Sequence, residues 1–434
     1  MGPKKVGIVV GGGPAPGINS VIGAAAIRSV LSGYEVVGIQ DGFKWIMKGD
    51  ISHTIDLSIK EVSRIHFRGG SHIGIARDNP TKDPKDLETT VTSLLRLNID
   101  RLITIGGDDT AFTAMQLEKM ANGRIKVVHV PKTIDNDLAL PLGISTFGYQ
   151  TARHIGVDIV KNLMVDAKTT SRWYFVVAMG RKAGHLALGI GKAAGATLSL
   201  ISEEFDGANQ ISLEKITDTL VGAIIKRLSY GRTDGVAVLA EGLVEHLSPS
   251  DLEELVDVEK DAHGNIRIAE INFGEIMKSK VQKRLAEFGI KTTIVAKNIG
   301  YELRCADPIP FDMEYTRDLG YSAADYILSG GNAAMISIQE GKTVPMLFKD
   351  IVDKKTGKTA VRMVDTSSTN YKIGRKYMIR LDKADFEDPH DLSKYAATAS
   401  VSLEEFKRQF EYLVDSSKQA PVHGEVKKGP KETA

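Results

Sequence analysis

At 434 residues, with 42% hydrophobic and 26% charged side chains, the chain can bury a sizeable core in about three ordinary domains or two large ones. Its 56 basic and 55 acidic residues leave a formal charge of +1, which argues against acting on nucleic acid or a membrane surface through bulk charge. The single cysteine, Cys305, excludes an internal disulfide framework and a cysteine-rich zinc site, and it fits a reducing compartment.

The apolar run within residues 1–10 is short and passes directly into GGGPAPG. No secretory leader is expected, nor any membrane span, because no stretch approaches ~18 uninterrupted apolar residues. A cytoplasmic protein is the expectation. The first predicted strand, Val6–Val10, leads through Gly11-Gly12-Gly13-Pro14-Ala15-Pro16-Gly17 into a predicted helix, Asn19–Leu31. Such a turn either lets backbone amides approach an anion at the positive end of a helix or is a tight connection with no ligand. It matches neither G-x-G-x-x-G nor G-x-x-x-x-G-K-[ST].

Strands follow at Glu35–Gln40 and Arg101–Ile105, the latter running into Gly106-Gly107-Asp108-Asp109-Thr110 before a helix, Thr110–Asn122. One carboxylate there would serve Mg²⁺, which takes one or two protein oxygens and keeps its waters. The alternative is a helix N-cap, which uses only one of the two aspartates. The strand Ile125–Val130 ends on Pro131-Lys132-Thr133-Ile134-Asp135-Asn136-Asp137. If this segment is extended, Asp135 and Asp137 face one side, and one can take a hydroxyl proton while the other serves a metal or its waters. A polar turn is the bland reading.

Further strands are predicted at Trp173–Met179, Ala196–Ile201, Gly235–Ala240, Thr292–Ile299 and Met335–Gln339, with a helix over Leu213–Leu228. Polar chemistry again stands at strand ends: Met179-Gly180-Arg181, Glu241-Gly242, and Gly300-Tyr301-Glu302-Leu303-Arg304. His185 reads as helix packing or capping. Residues 255–270 read as a charged hairpin, and the polar stretch after Asp415 as a disordered tail. Alternating strands and helices imply α/β architecture with mainly parallel sheets, two being more plausible than one. In such sheets ligands collect beyond the carboxyl ends of the strands.

Taken in order, GGGPAPGIN, GGSHIGIAR, GGDDT, PKTIDND, MGRKAGHLA, the AEG of Ala240–Gly242 and GYELR resemble the phosphofructokinase family over roughly residues 5–345. The resemblance implies two Rossmann-like three-layer domains with the active site in the cleft between them. The expected phosphoryl-donor domain is 1–148 with about 303–350. The expected fructose 6-phosphate domain is 149–302 with about 351–414, leaving 415–434 as the tail.

The resemblance also implies Mg²⁺-dependent phosphorylation of fructose 6-phosphate at its 1-hydroxyl. Asp135 matches the general base, Asp108 the Mg²⁺ residue, Asp137 a second carboxylate near the metal, and Gly12 the phosphoryl-donor glycine. Thr133, Ile134, Asp135 itself, Met179, Gly180, Arg181, Glu241, Tyr301 and Arg304 match the substrate-binding positions. Arg172 matches an arginine supplied by a neighbouring subunit, implying a homo-oligomer with shared sites. Asp109 and Lys132 stand where ATP-dependent members usually carry glycine, and the pair resembles the pyrophosphate-dependent branch, with longer polyphosphates as conceivable donors.

The resemblance implies that the carboxylate of Asp109 would crowd and repel a nucleotide's inner phosphate, and that Lys132 would add a cation beside the transferred group. Tyr301, where ATP-dependent members often carry histidine, agrees with that branch. Pro14 departs from the aspartate often found in the first loop, and a phosphate role for Lys297 and the role of Arg77 stay open. The rival readings are an ATP-dependent phosphofructokinase, a dinucleotide oxidoreductase (which lacks its G-x-G-x-x-G) and a non-catalytic sugar-phosphate sensor.

Overall fold

A computed structural model describes residues 5–141, 143–205, 211–255, 271–351, 361–415 and 417–427. It divides into two units, one of residues 1–155 with 301–362, the other of 156–300 with 363–434.

In the first unit, strands β1 (Lys5–Val10), β2 (Glu35–Ile39), β3 (Thr54–Asp56), β4 (Ile99–Gly106), β5 (Lys126–Thr133), β6 (Phe147–Gly148), β11 (Ala334–Gln339) and β12 (Lys342–Leu347) form one sheet. The order is β12-β11-β5-β4-β1-β2-β3, with β6 also on β5. The β2–β3 and β11–β12 pairs are antiparallel and the rest parallel. Helices α1 (Ile18–Leu31) and α2 (Asp108–Ala121) follow β1 and β4. Val9, Ile39, Leu102, Ala111, Leu117 and Val127 share one apolar core. Burial of this kind, at ~25 cal/mol per Å² of apolar surface, fixes which strand faces are covered.

The helix α3 (Tyr149–Thr170) carries the chain into the second unit. There β7 (Trp173–Ala178), β8 (Leu198–Leu200), β9 (Gly235–Ala240) and β10 (Ile294–Ile299) form an all-parallel sheet in the order β10-β7-β9-β8. Every residue of β7 and β9 is buried. That explains their unbroken apolar runs, since a parallel sheet covered on both faces has no polar side to alternate with. Helices α4 (His185–Ala194), α5 (Leu213–Ser229) and α6 (Phe273–Glu287) belong to this unit, and α7 (Pro310–Leu328) to the first.

The predicted α/β class with mainly parallel sheets holds, and most strand predictions fall within one or two residues. The predicted strand Ala196–Ile201 shortens to β8, Leu198–Leu200, and one strand differs more. The strand predicted over Ile125–Val130 runs on to Thr133, through Pro131, because β6 pairs with Lys132 and Thr133. The predicted hairpin at 255–270 lies outside the described residues apart from its first position, Leu255, which ends a short helix.

The tail differs from its reading as disordered over residues 417–427. Asp218 of α5 is fully buried, paired with Arg284 of α6 at 2.9 Å, and accepts Tyr412 at 2.8 Å. His423 reaches the same carboxylate at 3.1 Å, and the Gly424 amide donates to Glu287 at 3.0 Å. Composition marks the segment as polar but cannot show that a buried carboxylate waits for it. Among the described residues no helix is long and apolar enough to cross a membrane.

Candidate functional site

In the first unit the neighbouring strands β1, β4 and β5 end together. Their parallel register sets Val10 beside Ile105 and Gly106 beside Pro131. The glycine turn, Asp108 with Asp109, and the Lys132–Asp137 segment therefore share one sheet edge, the place where α/β proteins gather ligands.

Gly12 has φ +84, a conformation open to glycine at no steric cost. A Cβ there would lie 3.6 Å from Lys132 Nζ. Lys132 is buried, only 5% exposed, and its Nζ donates to Gly13 O. Two amides of the glycine turn are already used within the fold: Gly11 N donates to Ile105 O at 2.9 Å and Gly12 N to Ala76 O at 3.0 Å. The GGSHIGIAR segment thus lies along the turn at Ala76, and Arg77 follows, exposed.

Asp108 and Asp109 occupy the first turn of α2, whose N-cap is Gly107 with no side-chain cap bond. The helix starts two residues earlier than predicted, so neither aspartate is its N-cap residue. Asp109 is exposed and Asp108 half-buried, and both carboxylates are favoured by the helix dipole. Behind them Thr110 packs so closely that a Cβ on Gly106 would come within 2.3 Å of it.

The extended geometry expected for Asp135–Asp137 is also corrected. The strand stops at Thr133, and Asn136 turns left-handed at φ +57, a region asparagine tolerates better than most residues. Asp135 and Asp137 are buried on either side of that turn. Thr133 Oγ1 accepts the Asp135 amide at 3.0 Å, and Thr146 Oγ1 donates to Thr133 O at 2.7 Å. Ile134 is buried beside them.

Tyr301 is exposed, and its ring carries the Arg304 guanidinium 4.5 Å from its centroid. Arg304 Nη1 lies 3.5 Å from the position a Gly13 Cβ would take. The structure therefore groups Arg304 with the glycine turn of its own unit.

In the second unit the ends of β7, β9 and β10 bring Met179-Gly180-Arg181, Glu241 and Gly300 together, with Ala178 beside both Ala240 and Ile299. Glu241 Oε2 accepts the amides of Gly180 at 3.1 Å and Arg181 at 3.2 Å. This carboxylate shapes the loop in which Arg181 takes φ +49. His185 opens α4 after the Gly184 cap, and Lys297 is exposed on β10. Arg172 precedes Trp173, the first residue of β7, so it stands at the opposite end of that strand. Seven steps along the chain at ~3.3 Å each place it about 23 Å from Met179.

Sequence reading misses two supporting residues. Asn19, buried at the start of α1, donates to Arg68 O at 3.1 Å and Gly69 O at 3.2 Å and accepts His72 N at 2.6 Å. It ties the glycine turn to the GGSH loop, and its place directly after GGGPAPGI is the signal that marks it. His129 is buried under the Gly106 turn, with Nε2 3.1 Å from Gly106 O and Nδ1 2.8 Å from Thr104 Oγ1. Burial pushes its pKa down to about 3, so the ring is neutral. A carbonyl only accepts, so Nε2 carries the proton and Nδ1 accepts from Thr104.

The phosphofructokinase family profile matches residues 5–327. A relative from Naegleria fowleri named pyrophosphate–fructose 6-phosphate 1-phosphotransferase is 51% identical over 95% of this chain and 97% of its own. One of the same name from Thermotoga maritima is 51% identical over 94% and 98%. A pyrophosphate-dependent phosphofructokinase structure from Nitrosospira multiformis superposes with a TM-score of 0.65 at 16% identity, covering 100% of this chain and 99% of that one.

Proposed function

This chain belongs to the phosphofructokinase family, and from that premise we propose that it is a pyrophosphate-dependent 6-phosphofructokinase. It transfers a phosphoryl group from pyrophosphate to the 1-hydroxyl of fructose 6-phosphate, giving fructose 1,6-bisphosphate and phosphate, reversibly. The observation that carries the reading is near-full-length identity of 51% to two relatives of that name. Asp109 and Lys132 supply its physical content.

Asp135 takes the 1-hydroxyl proton as the sugar oxygen bonds to phosphorus and the bridging P–O bond of pyrophosphate breaks. In reverse it returns that proton. Lys132, held at the glycine turn, balances charge that builds on the leaving phosphate. The Gly13 amide, which makes no backbone hydrogen bond among the described residues, is the donor the turn has left for the same charge.

The described residues contain no cluster of three or more metal-ligating side chains. Mg²⁺ needs only one or two carboxylates, taking its other oxygens from water and phosphate, and the half-buried Asp108 at the sheet edge is such a carboxylate. Asp108 would hold it, with Asp137 near, and the ion supplies charge neutralisation of the phosphates when bound. Thr133, Ile134, Met179, Gly180, Arg181, Glu241, Tyr301 and Arg304 hold the sugar phosphate, Glu241 in part by shaping the Gly180–Arg181 loop.

The test is a donor panel with purified protein, fructose 6-phosphate and Mg²⁺. Pyrophosphate should exceed ATP in kcat/KM by about 100-fold or more, a difference of ~2.7 kcal/mol in transition-state binding. Equal or better use of ATP overturns the donor assignment.

We further propose a homo-oligomer in which Arg172 serves the site of a second copy. The strand-length separation of Arg172 from Met179 within one chain supports this. Chains carrying Asp135→Ser and chains carrying Arg172→Ala should each be nearly inactive. A dimer reassembled from an equal mixture should regain about a quarter of full activity, since half the dimers are mixed and each holds one intact site. No recovery would place Arg172 at the site of its own chain.

A further inference from the structure

Arg362 lies outside every motif above and serves no step of the reaction as described. It nevertheless bonds to the proton-transfer segment at several points. Its Nε and Nη2 donate to Asn136 O at 3.2 and 3.0 Å, and Nη2 reaches Asn136 Oδ1 at 2.5 Å. Nη1 donates to Ile144 O at 2.8 Å, and the Arg362 amide to Asp137 O at 2.7 Å. Leu138 and Val361 form an antiparallel bridge alongside.

These bonds answer a local need. Asn136 sits at φ +57, a left-handed conformation that a residue with a side chain keeps where its surroundings hold it. The segment has left the sheet at Thr133, so the Asn136 carbonyl is answered by the guanidinium and not by a sheet neighbour. A guanidinium offers five N–H donors in a rigid plane, enough to reach Asn136 and Ile144 at once. An ammonium on a flexible stem is a single point and cannot span both. The Asn136 side chain is held from a second side, since its Oδ1 also accepts the Thr146 amide at 3.0 Å.

We propose that Arg362 is the positioning residue of the proton-transfer carboxylate: by clamping Asn136 in its left-handed turn it aims Asp135 at the sugar hydroxyl. This rests on the reading of Asp135 as the base. Because a misplacement of ~1 Å can cost about 100-fold in rate, the clamp acts on kcat and leaves substrate binding alone.

Arg362→Met and Arg362→Lys are compared with the parent by steady-state kinetics and by amide hydrogen exchange. Arg362→Met should lower kcat about 10- to 100-fold with both KM values within about threefold, and peptides covering residues 136–146 should exchange faster while β1 and β4 peptides do not. Arg362→Lys should recover only part of the loss. Arg362→Met combined with Asn136→Ala should be no worse than the poorer single variant, because both act through one turn.

Unchanged exchange at 136–146, a kcat within threefold of the parent, or a loss confined to KM overturns the proposal. If Arg362→Met does not fold, the lysine variant carries the same readouts. If the parent itself turns over neither donor, the functional reading falls, and the exchange comparison still decides whether Arg362 clamps the turn.

Discussion

Replacing Asp135 by serine should lower kcat by about two to four powers of ten in both directions, with KM for fructose 6-phosphate within about threefold. Removing the base takes away the proton acceptor but not the groups that hold the sugar. The cost corresponds to about 3–5 kcal/mol of transition-state stabilisation. The size of the effect follows from the setting. Asp135 is 8% exposed, so water cannot easily substitute for it, and the Thr133 hydroxyl fixes its backbone at 3.0 Å. Forward and reverse rates should fall together, because the same carboxyl takes the proton one way and returns it the other. Turnover within tenfold of the parent in either direction would remove Asp135 from the reaction.

The double change Asp109→Gly with Lys132→Gly should invert donor preference, lowering kcat/KM for pyrophosphate by about 100-fold or more and raising that for ATP. The two residues contribute differently. Lys132 is buried at the glycine turn, where a unit charge at ~4 Å from a phosphate oxygen is worth about 4 kcal/mol before desolvation, at an effective dielectric near 20. Its loss falls on pyrophosphate. Asp109 is exposed in the first turn of α2, where its charge and bulk oppose a longer donor. Its loss opens the site to ATP. Each single variant should therefore show half of the inversion. ATP use that stays flat in Asp109→Gly would show that the acid is not what excludes the nucleotide.

The strand ends were legible because the chemistry is contiguous in the chain. A parallel strand delivers its ligand-facing residues immediately after its last apolar position, so GGGPAPG, GGDDT, PKTIDND and MGR stand out against the apolar runs before them. The sequence also sufficed for the fold class, since short buried runs alternating with helices leave few architectures. What a linear pattern cannot carry is which polar atoms are already spent. Two amides of the glycine turn are used by Ile105 and Ala76, and Glu241 holds its neighbouring loop as well as any ligand.

By itself, then, the sequence determined the residue types at each strand end and the class of sheet that presents them, because both are written in adjacent positions. Only the tertiary structure decided how those ends adjoin, that Asn136 breaks the extended path between two aspartates, and that Arg172 stands a strand's length from Met179. It alone brought Arg362 onto Asn136 from 226 residues away. Hydrogen bonds between distant segments depend on where the folded chain returns, and no local spacing encodes that return.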